Sequence, residues 1–466
     1  MENEKKVGLW GLVAIVFGSM IGGGIFNIPQ NMASNAGLGA VMLSWVISGI
    51  GIWFLVEVFK SLEEKHPELS SGIYAYAQKG FGNFVGFSSA WGYWIAAIFG
   101  NVAFAVLLND ALGIFFPSLL EHGWQTVVFG SVLVWLMTTI VWFGVNKASS
   151  LNTLSTVAKF LSLIVIFIML IVAFDFDVFT ADIWRFGLGG IGKQIKGTMM
   201  VTLWCFIGIE GAVVISGKAK KKSDVSKATI IGFAAALLMY LLLSALSFGI
   251  LKQEELSVLS SPSTGGLLQA AVGSDWGLML VNVAVIISVS GAWLAWTILV
   301  AETPYSAAKD GILPKIFSKD NAHQSPGISL LMSSIIVQLA LFIVVSAKDV
   351  YLAAVDIAGV MILPSYLLSS MFLLKEVLSK KGYSMKIKVI ALLSSLYCLW
   401  LIYAAGINFL LLSMMFYAVG IPFYLKARKE QNGSHVFANY EKWIAGTMIS
   451  LSFIGVYIIS TGAMAL

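Results

Sequence analysis

The stretch Phe17-Gly18-Ser19-Met20-Ile21-Gly22-Gly23-Gly24-Ile25-Phe26 lies in the middle of the first apolar segment of the chain. Three consecutive glycines make a poor helix interior, because glycine leaves the backbone flexible and its amides exposed. A second segment, Trp204-Cys205-Phe206-Ile207-Gly208-Ile209-Glu210-Gly211, sets two glycines about a glutamate at similar depth in the sixth apolar segment. The two interruptions lie five spans apart. An odd offset means opposite orientation, so the halves that carry them read as inverted copies. One glycine-rich span alone would signify close helix packing. Two at corresponding positions mark the substrate site of a secondary transporter.

The rest of the sequence agrees with a membrane setting. Of 466 residues, 58% are hydrophobic and 11% charged, where a soluble domain carries about 25% charged residues. That composition excludes a soluble multidomain protein, a disordered chain and a disulfide scaffold. After the first segment, from about residue 8, apolar spans fall near 39–59, 82–108, 124–144, 151–173, 194–216, 228–251, 277–301, 327–346, 351–374, 387–405, 407–425 and 443–463, thirteen in all. The division around Ala404–Asn408 cuts one long apolar run. With the N-terminus in the cytoplasm, only Arg185, Lys193, Lys196, Lys252 and Lys348 of the 29 Lys and Arg fall in outside loops, and Lys159 alone lies within a span. That bias follows the positive-inside rule and puts the C-terminus outside. The net charge of +5 is spread over separate loops and gives no reason to expect nucleic acid as a partner. Cys205 and Cys398 sit in apolar segments, the four histidines lie between spans, and no zinc-ligand spacing occurs. We expect no cofactor, no metal and no enzyme. An ion channel is disfavoured by the lack of a repeated filter sequence or a ring of charges.

Broken helices suit an amino acid as ligand. Each freed N–H or C=O must be satisfied, or it costs several kcal/mol inside a bilayer. A ligand carboxylate accepts from amides at the positive end of a half-helix, and an α-ammonium donates to the carbonyls of the broken end. Ile21, Gly22, Gly23 and Gly24 are therefore expected at the carboxylate, with the glycines leaving it room to approach the backbone. Ile207 and Gly208 are expected at the amine.

Several motifs carry a family resemblance. Gly18 to Phe26 with Pro29, Trp204 to Glu210, Ser70-Ser71-Gly72-Ile73-Tyr74 followed by Gly80-Phe81-Gly82, and Glu302 to Gly311 resemble signatures of the amino acid–polyamine–organocation superfamily. The likeness covers about residues 8 to 425. Thirteen spans and Ala90-Trp91-Gly92-Tyr93-Trp94 resemble its basic amino acid/polyamine antiporters, especially the arginine:ornithine exchangers. The triple glycine departs from the Gly-Ser-Gly of many relatives and removes one hydroxyl contact. The resemblance implies an all-α polytopic membrane protein of the leucine-transporter type. Residues 1–176 and 177–376 would form two inverted five-helix repeats, and 377–466 the C-terminal helices. It implies substrate contacts at Trp204, Ile207, Tyr93, Ala96, Ala97, Asn101 and Trp296, with Trp293 one turn away as a rival. Glu210 would link the site to a gate. Lys159 would take the place of a sodium ion found in sodium-coupled relatives, and would hold the backbone of helices one and eight. The partners implied are small amino acid substrates and the lipid bilayer of the cell membrane, with a homodimer within the family's range.

The intramembrane polar residues have two readings each. Lys159 is functional by the default for a buried charge, or snorkels to the nearby face. Asp356 pairs with a substrate's side-chain cation, or sits in water near the outer mouth. Asn101 binds the substrate side chain, or another helix. Trp204 and Trp296 offer rings to a cation, or pack. The function expected is exchange of a basic amino acid, arginine or lysine, for a related cation such as ornithine by alternating access. A histidine/histamine-type exchanger and proton-coupled uptake are the alternatives.

Overall fold

The computed structural model describes residues 8–69, 72–121, 123–210, 220–344, 349–380, 382–431 and 436–461, without the side chains of 145–154, 222, 343 and 344. Lys5, Lys6, Ser70, Ser71, His122, Gly211, Lys218, Lys348, Lys381 and His435, together with the rest of the sixth span to 216, lie outside the described residues.

The first span is broken as expected. Helix α1 (Leu9–Met20) stops at the glycines, and a short 3-10 turn over Gly24–Asn27 leads into α2 (Ile28–Ala33). Then follow α3 (Leu38–Lys65), α4 (Ile73–Phe81), α5 (Asn83–Leu112), α6 (Trp124–Trp142) and α7 (Val145–Val172). The next elements are α8 (Phe176–Thr180), α9 (Ile191–Phe206) and α10 (Lys222–Phe248). Two short helices, α11 (Gln253–Ser257) and α12 (Ser263–Val272), precede α13 (Asp275–Lys309). The chain closes with α14 (Gly327–Val344), α15 (Val350–Ser379), α16 (Met385–Glu430) and α17 (Asn439–Ser460). Ten helical segments among the described residues are long and apolar enough to cross a membrane. The protein is an all-helical, multi-pass membrane protein.

The run that had to be cut near Ala404–Asn408 is one helix by hydrogen bonding, but Gly406 inside it is non-helical, with φ 84° and ψ 162°. Only glycine adopts that backbone without strain, so the chain turns there between the eleventh and twelfth spans.

Helix α5 is the central post. Nearly all of its residues are buried, and it packs against both α13 and α15. Helix α17 is peripheral: Trp443, Phe453 and Tyr457 on it are strongly exposed. Exposed Leu161, Ile164, Val165, Ile168, Ile171 and Val172 on α7 face outward in the same way, as suits a lipid-facing stripe. Polar clamps fix the second half of the broken span. Asn27 donates to Ser261 Oγ (3.0 Å) and accepts from the Ser263 N–H (2.9 Å), and Thr264 Oγ1 donates to Phe26 O (2.9 Å).

At the lysine-rich end, His66 joins α3 to α15 through Glu376 (2.8 Å) and meets Lys79 of α4 at 3.1 Å. Lys79 also bonds Glu68, in the loop between α3 and α4, and that hydrogen bond draws the Glu68 carboxyl from 4.5 down to about 2. A carboxyl depressed in the folded state stabilises above its unfolded pKa and loses that contribution as pH falls through the folded value. The Tm difference between wild type and Glu68→Gln should therefore be constant from pH 8 to 6 and vanish as pH drops from about 4.5 toward 2. Thermal melts at stepped pH read it, and a difference that grows with acidity would contradict the assignment.

Candidate functional site

The two broken helices meet each other. Ser19 Oγ of α1 donates to Gly208 O (2.9 Å) beyond the end of α9. The Tyr240 hydroxyl of α10 shares its proton between Met20 O (2.9 Å) and Cys205 O (2.7 Å), one carbonyl from each break. Gly208 has φ +105°, a conformation that glycine alone adopts freely. On the first break, Ile21 N–H reaches Phe17 O (2.8 Å) and Gly22 N–H reaches Met20 O (2.9 Å). The N–H groups of Gly23, Gly24 and Ile25 have no acceptor among the described residues.

A small cavity lies between these ends, lined by Ser19, Met20, Gly22, Gly23, Gly24, Phe104, Trp204, Ile207 and Trp296. Its volume is about 10 Å³, room for about one water molecule and far short of an amino acid. The rings of Phe104, Trp204 and Trp296 form a triad with centroids 6.2, 5.9 and 6.3 Å apart. The Trp204 indole donates to Tyr351 OH (3.1 Å). The buried Trp296 Nε1 has no partner among the described residues, an anomaly that a polar ligand would remove. Trp296, rather than its neighbour Trp293, lines the cavity.

The glycines are close-approach positions as well as amide donors. A Cβ on Gly22 would lie 3.0 Å from the Phe104 ring, one on Gly23 2.3 Å from Leu107, and one on Gly24 2.9 Å from Trp204. Glycine at these three positions therefore lets the broken span approach α5 and α9.

The remaining expected residues divide. Lys159 on α7 is buried and donates to Gly18 O (3.1 Å) and Ile21 O, both on the first span. It does not snorkel. The tie expected from Lys159 to helix eight is made instead by Ser155, which donates to Ile287 O of α13 (2.7 Å). Glu210 is fully buried and accepts from Tyr93 of α5 (2.8 Å), Tyr366 of α15 (2.7 Å) and Gly208 N–H (3.2 Å). Asn101 donates to Ala97 O (2.7 Å) and Trp296 O (3.3 Å) and accepts from Thr297 (3.2 Å), so it holds the Trp296 backbone in place. Ala96 and Ala97 are buried in α5, and neither they, Tyr93, Asn101 nor Asp356 lines the cavity. Asp356 stands on α15 three residues before Gly359, whose close neighbours are Met200 and Leu203 of α9.

Phe104, Tyr240, Tyr351 and Tyr366 were not singled out in the sequence. Each is one aromatic among many in an apolar helix, and only tertiary packing brings it to the breaks.

Broken helices that share their freed backbone groups across an aromatic cavity in a membrane bundle are the architecture of a secondary transporter. The chain belongs to the amino acid permease family, whose pattern matches residues 7–449. It is 43% identical over 477 positions to a Clostridium perfringens protein named as a candidate amino-acid transporter, covering 98% of each chain. It is equally 43% identical to a protein of Chlamydia abortus named arginine/agmatine antiporter, over 99% of this chain and 98% of that one. A Chlamydia trachomatis protein of the same name is 44% identical over 96% of this chain and 95% of its own.

Proposed function

We propose that the chain is an antiporter that exchanges arginine for a cationic product derived from it, with agmatine ahead of ornithine. The observation that carries this choice is the ring triad of Phe104, Trp204 and Trp296 on a cavity wall without a carboxylate among its lining residues. A guanidinium is planar, weakly hydrated and stacks on aromatic faces, whereas an ammonium is compact and strongly hydrated. Arginine and agmatine both keep the guanidinium; ornithine does not. The names of the chlamydial relatives support the same pair.

In this reading the arginine carboxylate takes the free N–H groups of Gly23, Gly24 and Ile25, and the α-ammonium takes carbonyls near Ile207 and Gly208. Glu210, held by Tyr93 and Tyr366, transmits occupancy of the site to α5 and α15. Residues 1–176 and 177–376 act as the inverted halves, 377–466 as added helices, and the N-terminus faces the cytoplasm. The contracted cavity opens by movement of the aromatic rings around the first break.

Charge accounting supplies the test. Arginine carries a net charge of +1 and agmatine +2 at neutral pH, so arginine uptake against agmatine exports one positive charge per cycle. A membrane potential of about 100 mV biases such an exchange by about 2.3 kcal/mol. In liposomes loaded with agmatine, an inside-positive potential should speed uptake of labelled arginine and an inside-negative one should slow it. Liposomes loaded with ornithine, whose net charge is +1, should be indifferent. Potential-independent exchange against agmatine would overturn the agmatine reading. Asp356→Asn should weaken arginine more than a neutral amino acid if the carboxylate meets the guanidinium in the opened state. Equal loss for both would remove Asp356 from the substrate's path.

A further inference from the structure

A second and much larger cavity, of about 700 Å³, lies away from the broken helices. Its walls come from α4, α5, α15, α16 and α17 and include Val85, Leu367, Leu368, Met371, Met414 and Ile444. The hydroxyls on its wall are already bonded within the protein. Ser88 donates to Phe84 O (2.9 Å), Tyr417 to Met361 O (3.2 Å) and Tyr440 to Phe81 O (2.9 Å). The exception is Lys375 at one end. Its ammonium gives one N–H to Gly80 O (2.7 Å) and lies 5.4 Å from the Phe81 ring centre, which leaves two donors. The nearby lysines are ion-paired, Lys79 with Glu68 and Lys380 with Glu376. Among the described residues no carboxylate is paired with Lys375.

The dimensions and charge select the occupant. From Pro364 to Lys375, both on the wall, α15 rises about 16 Å at 1.5 Å per residue, about half of a hydrocarbon core of ~30 Å. The cavity thus matches one leaflet in length, apolar along its walls and with Lys375 at its lysine-rich end. Met371 on its wall is 39% exposed, so it opens sideways to the lipid.

We propose that this groove binds one anionic phospholipid of the leaflet on the lysine-rich side, with an acyl chain along α15 and α17 and the phosphate on Lys375. Bound there, the lipid bridges α5 and α15, which also carry Tyr93 and Tyr366 of the Glu210 contact, to the peripheral α17.

Retention of phosphatidylglycerol and phosphatidylcholine by the purified full-length protein, counted by native mass spectrometry from equimolar mixtures, tests the proposal. One juxtamembrane lysine gives a preference of about fivefold for the anionic lipid. Wild type should hold one phosphatidylglycerol per chain with that preference. Lys375→Gln, which keeps a donor for Gly80 O, should lower the preference to about one. Met371→Trp, which fills the groove from its exposed side, should lose retention of both lipids while still exchanging amino acid, and provides the reading if Lys375→Gln misfolds. Equal retention of the two lipids by wild type would overturn the proposal. So would a preference that survives Lys375→Gln, or a cross-link between two copies through Met371→Cys.

Discussion

A Lys159→Met variant should lose at least about 90% of wild-type exchange and melt at lower temperature, because two buried carbonyls would lose their donor. Lys159 donates to Gly18 O and Ile21 O, on either side of the end of α1. A buried acceptor left unsatisfied costs about 1–3 kcal/mol, and each ~1.4 kcal/mol of distortion at the site is a factor of ten in rate. Methionine keeps most of the stem and removes the cation, so the loss is assigned to the ammonium and not to a cavity. The same placement puts the Lys159 nitrogen against two backbone oxygens of the first span, where a sodium ion would have to displace it. Wild-type exchange should accordingly run unchanged in sodium-free buffer. A sodium requirement, or a Lys159→Met protein with wild-type rate and Tm, would remove Lys159 from this role.

The second large effect is expected at Gly23. Gly23→Leu should abolish exchange. The added Cβ points at Leu107, 2.3 Å away, with Phe104 beyond at 3.6 Å, so the side chain pushes the break away from α5 and disturbs the ring triad. Overpacking a filled interior by a few methylenes costs about 1–3 kcal/mol. Pairing Gly23→Leu with Leu107→Ala separates packing from chemistry. The pair should regain much of the lost thermal stability, yet not the exchange, since the triad and the free amides of Gly23 and Gly24 remain disturbed. Recovery of both would reduce Gly23 to a packing residue, and normal exchange by Gly23→Leu alone would dismiss the first break as the ligand site.

Much of the fold was legible because membrane spans are set by local composition. The breaks at Gly22–Gly24 and Gly208 declare themselves, since glycines in mid-membrane are costly without a reason. Lys159 was legible as a buried charge, and it donates to two carbonyls of the first span. The hydrogen bonds of its ammonium go to that span, while Ser155, one turn earlier, donates to the Ile287 carbonyl of helix eight. The site's aromatic wall was legible only in part. Trp204 and Trp296 stand beside motifs, but Phe104 and Tyr240 are anonymous in sequence and take their places through contacts distant in the chain, Phe104 with Trp204 and Tyr240 with Met20. The spacing between Trp293 and Trp296 does not say which ring faces the cavity. That depends on how α13 is rotated against α5, where Asn101 holds the Trp296 carbonyl. The cut around Ala404–Asn408 was required only by the length of one apolar run; the structure puts the non-helical backbone at Gly406 within it.

Counterflow in sodium-free proteoliposomes tests the proposed exchange most directly. Labelled arginine is offered outside vesicles that are empty, loaded with agmatine, or loaded with leucine. Uptake should be rapid only against agmatine, and should be lost with Trp204→Ala and Trp296→Ala. Equal uptake into empty vesicles, or uptake against leucine as fast as against agmatine, would contradict obligatory exchange of guanidinium substrates at the broken helices.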